Sequence, residues 1–276
     1  VRRRAWIDEL LTKRTRIETA LGAPLGKMLG CGHFGCVFES TPPWVVKFSI
    51  DPTEGPIWSK IVGLINEEAY GALGFPEIKS ITRLTPDVPY GGRKKKVWAI
   101  VREGVEPVYR TSAELYTDFS RAKFGLPVGS GRFDRIGGDS QLPEDFLSAI
   151  YGLSLYQTYA RAWHAFTYSP RRSSEYSRTL RAEYHSRDAV EMKIEGILNR
   201  EFHGPLAGGL GESLSMLASN GVYLRDVHRG NIGWHVAAPG DGNDWDRLVI
   251  FDPGHTPTGP ATDIPEALIE NGRDPL

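Results

Sequence analysis

The stretch Val222-Tyr223-Leu224-Arg225-Asp226-Val227-His228-Arg229-Gly230-Asn231-Ile232-Gly233-Trp234 decides how the rest of the chain is read. A helical pattern stops at Asn220-Gly221, and a polar turn then presents a carboxylate, Asp226, and a carboxamide, Asn231. The apolar run Leu248 to Phe251 delivers a second carboxylate, Asp252, followed by Pro253-Gly254. The segments Asn231 to Trp234 and Arg247 to Phe251 form a plausible hairpin, joined by the turn-rich Pro239-Gly240-Asp241-Gly242-Asn243-Asp244. Such a hairpin carries Asn231 and Asp252 to the same end. Oxygen donors gathered in this way suit magnesium, and a neighbouring carboxylate can align a hydroxyl.

Working back toward the start, Lys27 to Phe38 reads as strand, loop and strand around Gly30-Cys31-Gly32-His33-Phe34-Gly35. Glycines at 30, 32 and 35 let the backbone approach a phosphate chain closely. A plain hairpin turn or a dinucleotide fingerprint would also satisfy the pattern. The sequel favours the phosphate loop, because a second strand with Val37 leads into a third, Trp44 to Ile50, carrying Lys47, whereas a dinucleotide fingerprint opens a helix. A helix over Ser59 to Leu73 then bears Glu67 and Glu68, and the apolar positions Ile61 and Ile65 place Glu68 on the buried stripe. Glu68 is the expected partner of Lys47, with Glu67 as the alternative. Strands over Ile78 to Leu84 and Val97 to Val101 enclose a basic hairpin tip, Tyr90-Gly91-Gly92-Arg93-Lys94-Lys95-Lys96, which reads as a solvated loop, and Gly74-Phe75-Pro76 ends the preceding helix.

Residues 106 to 220 are mainly helical in pattern, with Phe146, Ile150, Leu153, Ala160, Trp163 and Phe166 at three-to-four spacing. A second periodic region runs from Leu180 to Leu198, and a third from Gly211 to Ser219; loops are expected at 125–138 and 169–174. At the other end, Trp6, Leu10, Ile17 and Leu21 predict one amphipathic helix ahead of the main domain.

The 276 residues suffice for one large domain or two modest lobes. Lys and Arg number 33 against 34 Asp and Glu, so charge gives no reason to expect a nucleic-acid or membrane-surface binder. No apolar segment of signal-peptide or transmembrane length is evident. The two cysteines, Cys31 and Cys36, read as thiols of a reducing compartment, with a cross-hairpin disulfide as the alternative, and the expected location is cytoplasmic.

Leu224 to Asn231 resembles the catalytic loop of the protein-kinase-like superfamily, and Asp252-Pro253-Gly254 is similar to its metal-binding triplet. The glycine loop with Lys47, Asp226 with Asn231, and Asp252 follow in that family's order. The resemblance covers roughly Leu21 to Val105 and Leu210 to Gly254. It implies an α+β, bilobal kinase-like fold: an N-terminal helix over 1–20, an N-lobe over 21–105 with an antiparallel five-stranded sheet and one helix, and a mainly helical C-lobe over 106–276 with a helical insertion. By the same resemblance ATP and Mg2+ are the cofactors. Gly30, Gly32, His33, Gly35, Val37 and Lys47 surround the nucleotide, Glu68 braces Lys47, and the hinge at Glu103 to Val105 meets the adenine. Asn231 and Asp252 hold the metal, Asp226 takes the acceptor proton, and His228 stands where protein kinases place a phosphate-contacting lysine, or is a structural hydrogen bonder.

Leu224 in place of the usual histidine, Pro253 in place of an aromatic, and the absence of Ala-Pro-Glu after Gly254 set the chain apart from eukaryotic-type protein kinases. The long insertion before Asp226 is closer to aminoglycoside phosphotransferases and related small-molecule kinases. The implied activity is transfer of the γ-phosphoryl group of ATP to a hydroxyl of a small molecule. A protein acceptor, the chain itself included, a nucleotide-binding pseudokinase, and AMP-releasing transfer on the same scaffold are the alternatives.

Overall fold

A computed structural model describes residues 5–65, 74–107, 144–168, 175–227, 229–235, 247–254 and 256. The fold is mixed α and β, and contacts divide the chain into two compact units. The first takes in 5–65 and Pro76–Gly104 and resumes at Pro253; the second takes in Gly74, Phe75 and Val105–Asp252.

The first unit is built on an antiparallel sheet of five strands, β1 (Met28–Cys31), β2 (Gly35–Glu39), β3 (Trp44–Ser49), β4 (Ile78–Tyr90) and β5 (Arg93–Glu103), in the order β1-β2-β3-β5-β4. Residues alternate between its faces. Val46 and Phe48 of β3 lie in one core with Phe38, Leu84, Val97 and Val101, and that core is completed by Trp6, Ile7, Leu10, Ile17 and Leu21 from the N-terminal segment. The single expected helix is broken into α1 (Ala5–Leu11) and α2 (Arg14–Leu21). At the break Thr12 returns both its amide and its hydroxyl to the carbonyl of Glu9, at 3.2 and 2.7 Å, which ends α1 without glycine or proline. Nor is this segment a separate domain, since its tryptophan and leucines are inside the sheet's core.

Lys47 faces the other side of β3, where α3 (Glu54–Leu64) lies. This helix begins five residues before the expected start at Ser59. Asp51 fixes its approach, its Oδ1 accepting from the Thr53 amide at 2.9 Å and the Thr53 hydroxyl at 2.8 Å. Pro56, in the first turn, leaves no intrahelical bond unmade. Gly55 is required by close approach: a Cβ there would stand 2.1 Å from the Trp98 ring. Strands β4 and β5 run well past the expected segments to a turn at Gly91-Gly92, so that Arg93 to Lys96 belong to β5 rather than to a loop.

The second unit contains α4 (Glu144–Tyr168), α5 (Glu175–Tyr184), α6 (Arg187–Glu201) and α7 (Gly204–Ser219), with a sheet of β6 (Glu106–Pro107), β7 (Ile232–His235) and β8 (Arg247–Ile250). Phe146, Ile150, Leu153, Ala160 and Trp163 of α4 are buried, as their spacing predicts, and Phe146 stacks on Trp234. The interruption in the second periodic region is His185, at φ 60°, followed by Ser186, whose hydroxyl accepts from the Ala189 amide and caps α6. Helix α7 starts seven residues before the expected Gly211, with a proline in its first turn. Gly74 and Phe75, expected to close a helix of the first unit, belong to the second; the Ile250 amide donates to the Gly74 carbonyl at 2.8 Å. The loops expected at 125–138 and 169–174 lie outside the described residues. Among the described residues no helix is long and apolar enough to cross a membrane.

Candidate functional site

In the first unit the glycine segment forms a tight hairpin turn. The Gly32 amide donates to the Gly35 carbonyl at 2.8 Å, and the Ile50 amide donates to the Phe34 carbonyl at 2.8 Å. One of the amides that a phosphate-cradling loop would aim at its ligand is therefore engaged within the turn. Cys31 and Cys36 are directly opposite one another across β1 and β2, with Cα atoms 4.1 Å apart, and are joined as a disulfide. This corrects the expectation of free thiols and removes its support for a reducing compartment; cysteine spacing alone could not reveal that the strand register sets the pair face to face. His33 packs edge-on against Phe34 at the tip. Gly30 lies in β1.

Lys47 pairs across the sheet with Val37 on β2 and with Ile100 on β5, so these three share a face. Gly35 lies close above the lysine, where a Cβ would meet Lys47 Cε at 3.1 Å and the Phe48 carbonyl oxygen at 2.9 Å. The Lys47 Nζ is 2.5 Å from Glu54 Oε1, with 7% and 3% of the two side chains exposed. Among the described residues a carboxylate on Lys47 is that of Glu54, at the start of α3; Glu67 and Glu68, expected in this role, lie outside the described residues. Glu54 lies ahead of the start expected at Ser59, although Ile57, Trp58 and Ile61, all fully buried, carry the helical period back toward it. Where the hinge is expected, the Glu103 amide donates to Glu77 O at 2.9 Å, the Arg102 guanidinium donates to Glu103 O at 3.0 Å, and the Gly104 amide donates to Pro43 O at 2.8 Å. Val105 is half-buried.

In the second unit the turn that follows α7 is held from α4. The Tyr156 hydroxyl accepts from the Leu224 amide at 3.2 Å, and His164 Nε2 donates to the Tyr223 carbonyl at 2.7 Å. Burial drives the His164 pKa down to about 4, so the ring is neutral and this tautomer is fixed by the carbonyl it serves. Burial likewise raises the Tyr156 hydroxyl above its ordinary range and brings Tyr223 up to about 12. Backbone clamped on both sides in this way places Asp226 at a defined point.

Asp226 Oδ1 receives the Gln157 amide at 3.4 Å and lies 3.6 Å from the Arg161 guanidinium. Neither α4 residue was singled out in the sequence, where each is one of several polar positions in the helical pattern. The Asn231 side-chain amide donates to the Asp226 carbonyl at 2.8 Å. With Nδ2 so engaged, its oxygen is what Asn231 offers a cation. Strands β7 and β8 pair in the register Ile232 to Ile250, and the Phe251 amide donates to the Asn231 carbonyl at 3.0 Å, so that Asn231 and Asp252 come to one end of the hairpin. His228 lies outside the described residues.

Among the described residues no group of three His, Cys, Asp or Glu side chains converges as a ready-made metal cage. The Asn231 and Asp252 oxygens fit a hard cation that takes one or two protein ligands and completes its shell with water and phosphate, which is magnesium's habit. No protein-family model matches the chain, and no curated protein matches it in sequence.

Proposed function

We propose that the chain is a kinase-like phosphotransferase that moves the γ-phosphoryl group of ATP, with magnesium, to a hydroxyl of a small molecule. One observation carries this reading: Asn231 is bonded to the Asp226 backbone while the β7–β8 register brings Asp252 to the same end of the hairpin, which collects a candidate base and two candidate oxygen ligands there. Supporting it in the first unit are the strand order β1-β2-β3-β5-β4 and a lysine on the central strand, buried and held by a helix carboxylate. The bilobal kinase fold belongs to this proposal.

In this reading Lys47 neutralises the nucleotide phosphates and Asn231 and Asp252 hold magnesium, which would compensate phosphate charge. Asp226 orients the acceptor hydroxyl and accepts its proton. The engaged Gly32 amide favours a second reading, a nucleotide-binding protein without turnover, in which the disulfide-closed turn no longer cradles phosphates.

Incubation with magnesium and γ-labelled ATP, beside Asp252→Ala, tests the proposal. Release of ADP that is lost in the variant supports a phosphotransferase, and label on the chain identifies a protein acceptor. Release of AMP would overturn it in favour of another transfer chemistry, and magnesium-dependent ATP binding without any turnover would favour the second reading.

A further inference from the structure

Helix α4 supplies more than a floor for the Asp226 turn. Two of its side chains hold backbone, Tyr156 at Leu224 and His164 at Tyr223. Between them in sequence, Gln157 and Arg161 both reach one oxygen of Asp226, at 3.4 and 3.6 Å. The arginine is not consumed by this contact. At 3.6 Å the guanidinium is beyond a close hydrogen bond, and 38% of its side chain is exposed. A purely structural arginine would be expected to close a short, forked pair on the carboxylate.

We infer that Arg161 is a further catalytic residue of the proposed transfer, donating to the oxygens of the phosphoryl group as it passes to the acceptor. The inference rests on the phosphotransferase reading. In that reaction the acceptor oxygen forms a bond to the γ-phosphorus, the bond from that phosphorus to the bridging oxygen breaks, and ADP departs with the electron pair. The acceptor proton goes to Asp226. Charge spreads over the three equatorial oxygens, and donors already in place where it develops contribute most to the rate. An acceptor hydroxyl held by Asp226 is necessarily next to the transferring phosphorus. A guanidinium beside Asp226 is therefore within reach of the phosphoryl oxygens, and its planar fork has N–H groups for both partners. The arginine exchanges no proton.

Binding of magnesium and ADP, with and without aluminium fluoride as a mimic of the transferring group, tests this without knowledge of the acceptor. The wild-type protein is expected to bind ADP more tightly with fluoride. Arg161→Ala should lose that gain by about a hundredfold while its affinity for ADP alone is unchanged, and Arg161→Lys should recover part of it. The loss should persist when Arg161→Ala is combined with Asp226→Asn; disappearance in that background would make Arg161 merely a positioning residue for Asp226 and overturn the proposal. Fluoride tightening that is absent from the wild type, or equal in wild type and Arg161→Ala, would also overturn it while leaving ATP binding intact. Failure of the wild type to bind magnesium and ADP at all would overturn the phosphotransferase reading itself, and this inference with it.

Discussion

The two units hold their charged residues in opposite ways. Lys47 and Glu54 form a buried pair at 2.5 Å with under a tenth of either side chain exposed, whereas Arg161 and Asp226 stand 3.6 Å apart with 38% and 24% exposed. Desolvation makes the first pair rigid, because removing either partner strands a charge in the interior. The second is wet and loosely closed, so little stability depends on it and its groups can turn to a ligand. The contrast separates a lysine fixed in place by burial, as the phosphate contact proposed for it requires, from an arginine that can turn to a ligand.

Breaking the buried pair should produce the largest effect. Glu54→Ala is expected to cost about 3–5 kcal/mol of folding stability, read from urea unfolding, since it removes a buried carboxylate from the Lys47 ammonium. A cost below 1 kcal/mol would show that the pair is solvated and erase the contrast.

Next in size is a pH effect in the second unit. The His164 pKa is depressed to about 4 in the folded chain, against an ordinary value near 6.5, so between these limits the unfolded state binds the extra proton. Stability therefore falls as pH drops through that window, by about 2–3 kcal/mol between pH 7 and pH 4.5. His164→Gln, which keeps a donor for the Tyr223 carbonyl, should flatten that part of the curve; an unchanged curve would place the titration elsewhere.

Gly55→Ala sharpens the comparison from the first unit's side. The added methyl would overlap Trp98, and overpacking of this kind costs about 1–3 kcal/mol. Because Gly55 follows Glu54, the change should also weaken ADP binding more than Arg161→Ala does. The smallest expected effect is that of Arg161→Ala on folding, under about 1 kcal/mol by thermal or urea unfolding. A larger loss would make Arg161 a structural group.

The strands were legible because β-branched and aromatic runs punctuated by glycine and proline leave few alternatives; the run from Trp44 to Ile50 overshoots β3 by one residue, and Val97 to Val101 falls inside β5. The β7–β8 hairpin could be read despite the turn-rich segment within it, since Ile232 and Ile250 are short apolar partners. Helix starts were harder to see. Glu54 and Gly204 begin helices through Gly-Pro pairs that look like breakers, and both were placed too late. Tertiary partners were not legible at all. Nothing in Thr12 announces a break in a helix, nothing in two cysteines reveals strand register, and the polar positions of α4 acquire meaning only when Tyr223 to Asp226 packs against them.

Burial of Trp6 and Leu10 together with Val97 and Val101 in a single core bears on how the protein is made. As the chain leaves the ribosome, α1 and α2 emerge ahead of the sheet and expose apolar faces whose covering strand, β5, is completed only at Glu103. The first unit cannot close until then, and its long-range pairings make this a slow step during which those faces need shielding. Ribosome-bound chains ending soon after Ser49 should be sensitive to protease, and those that have exposed β5 fully should be resistant.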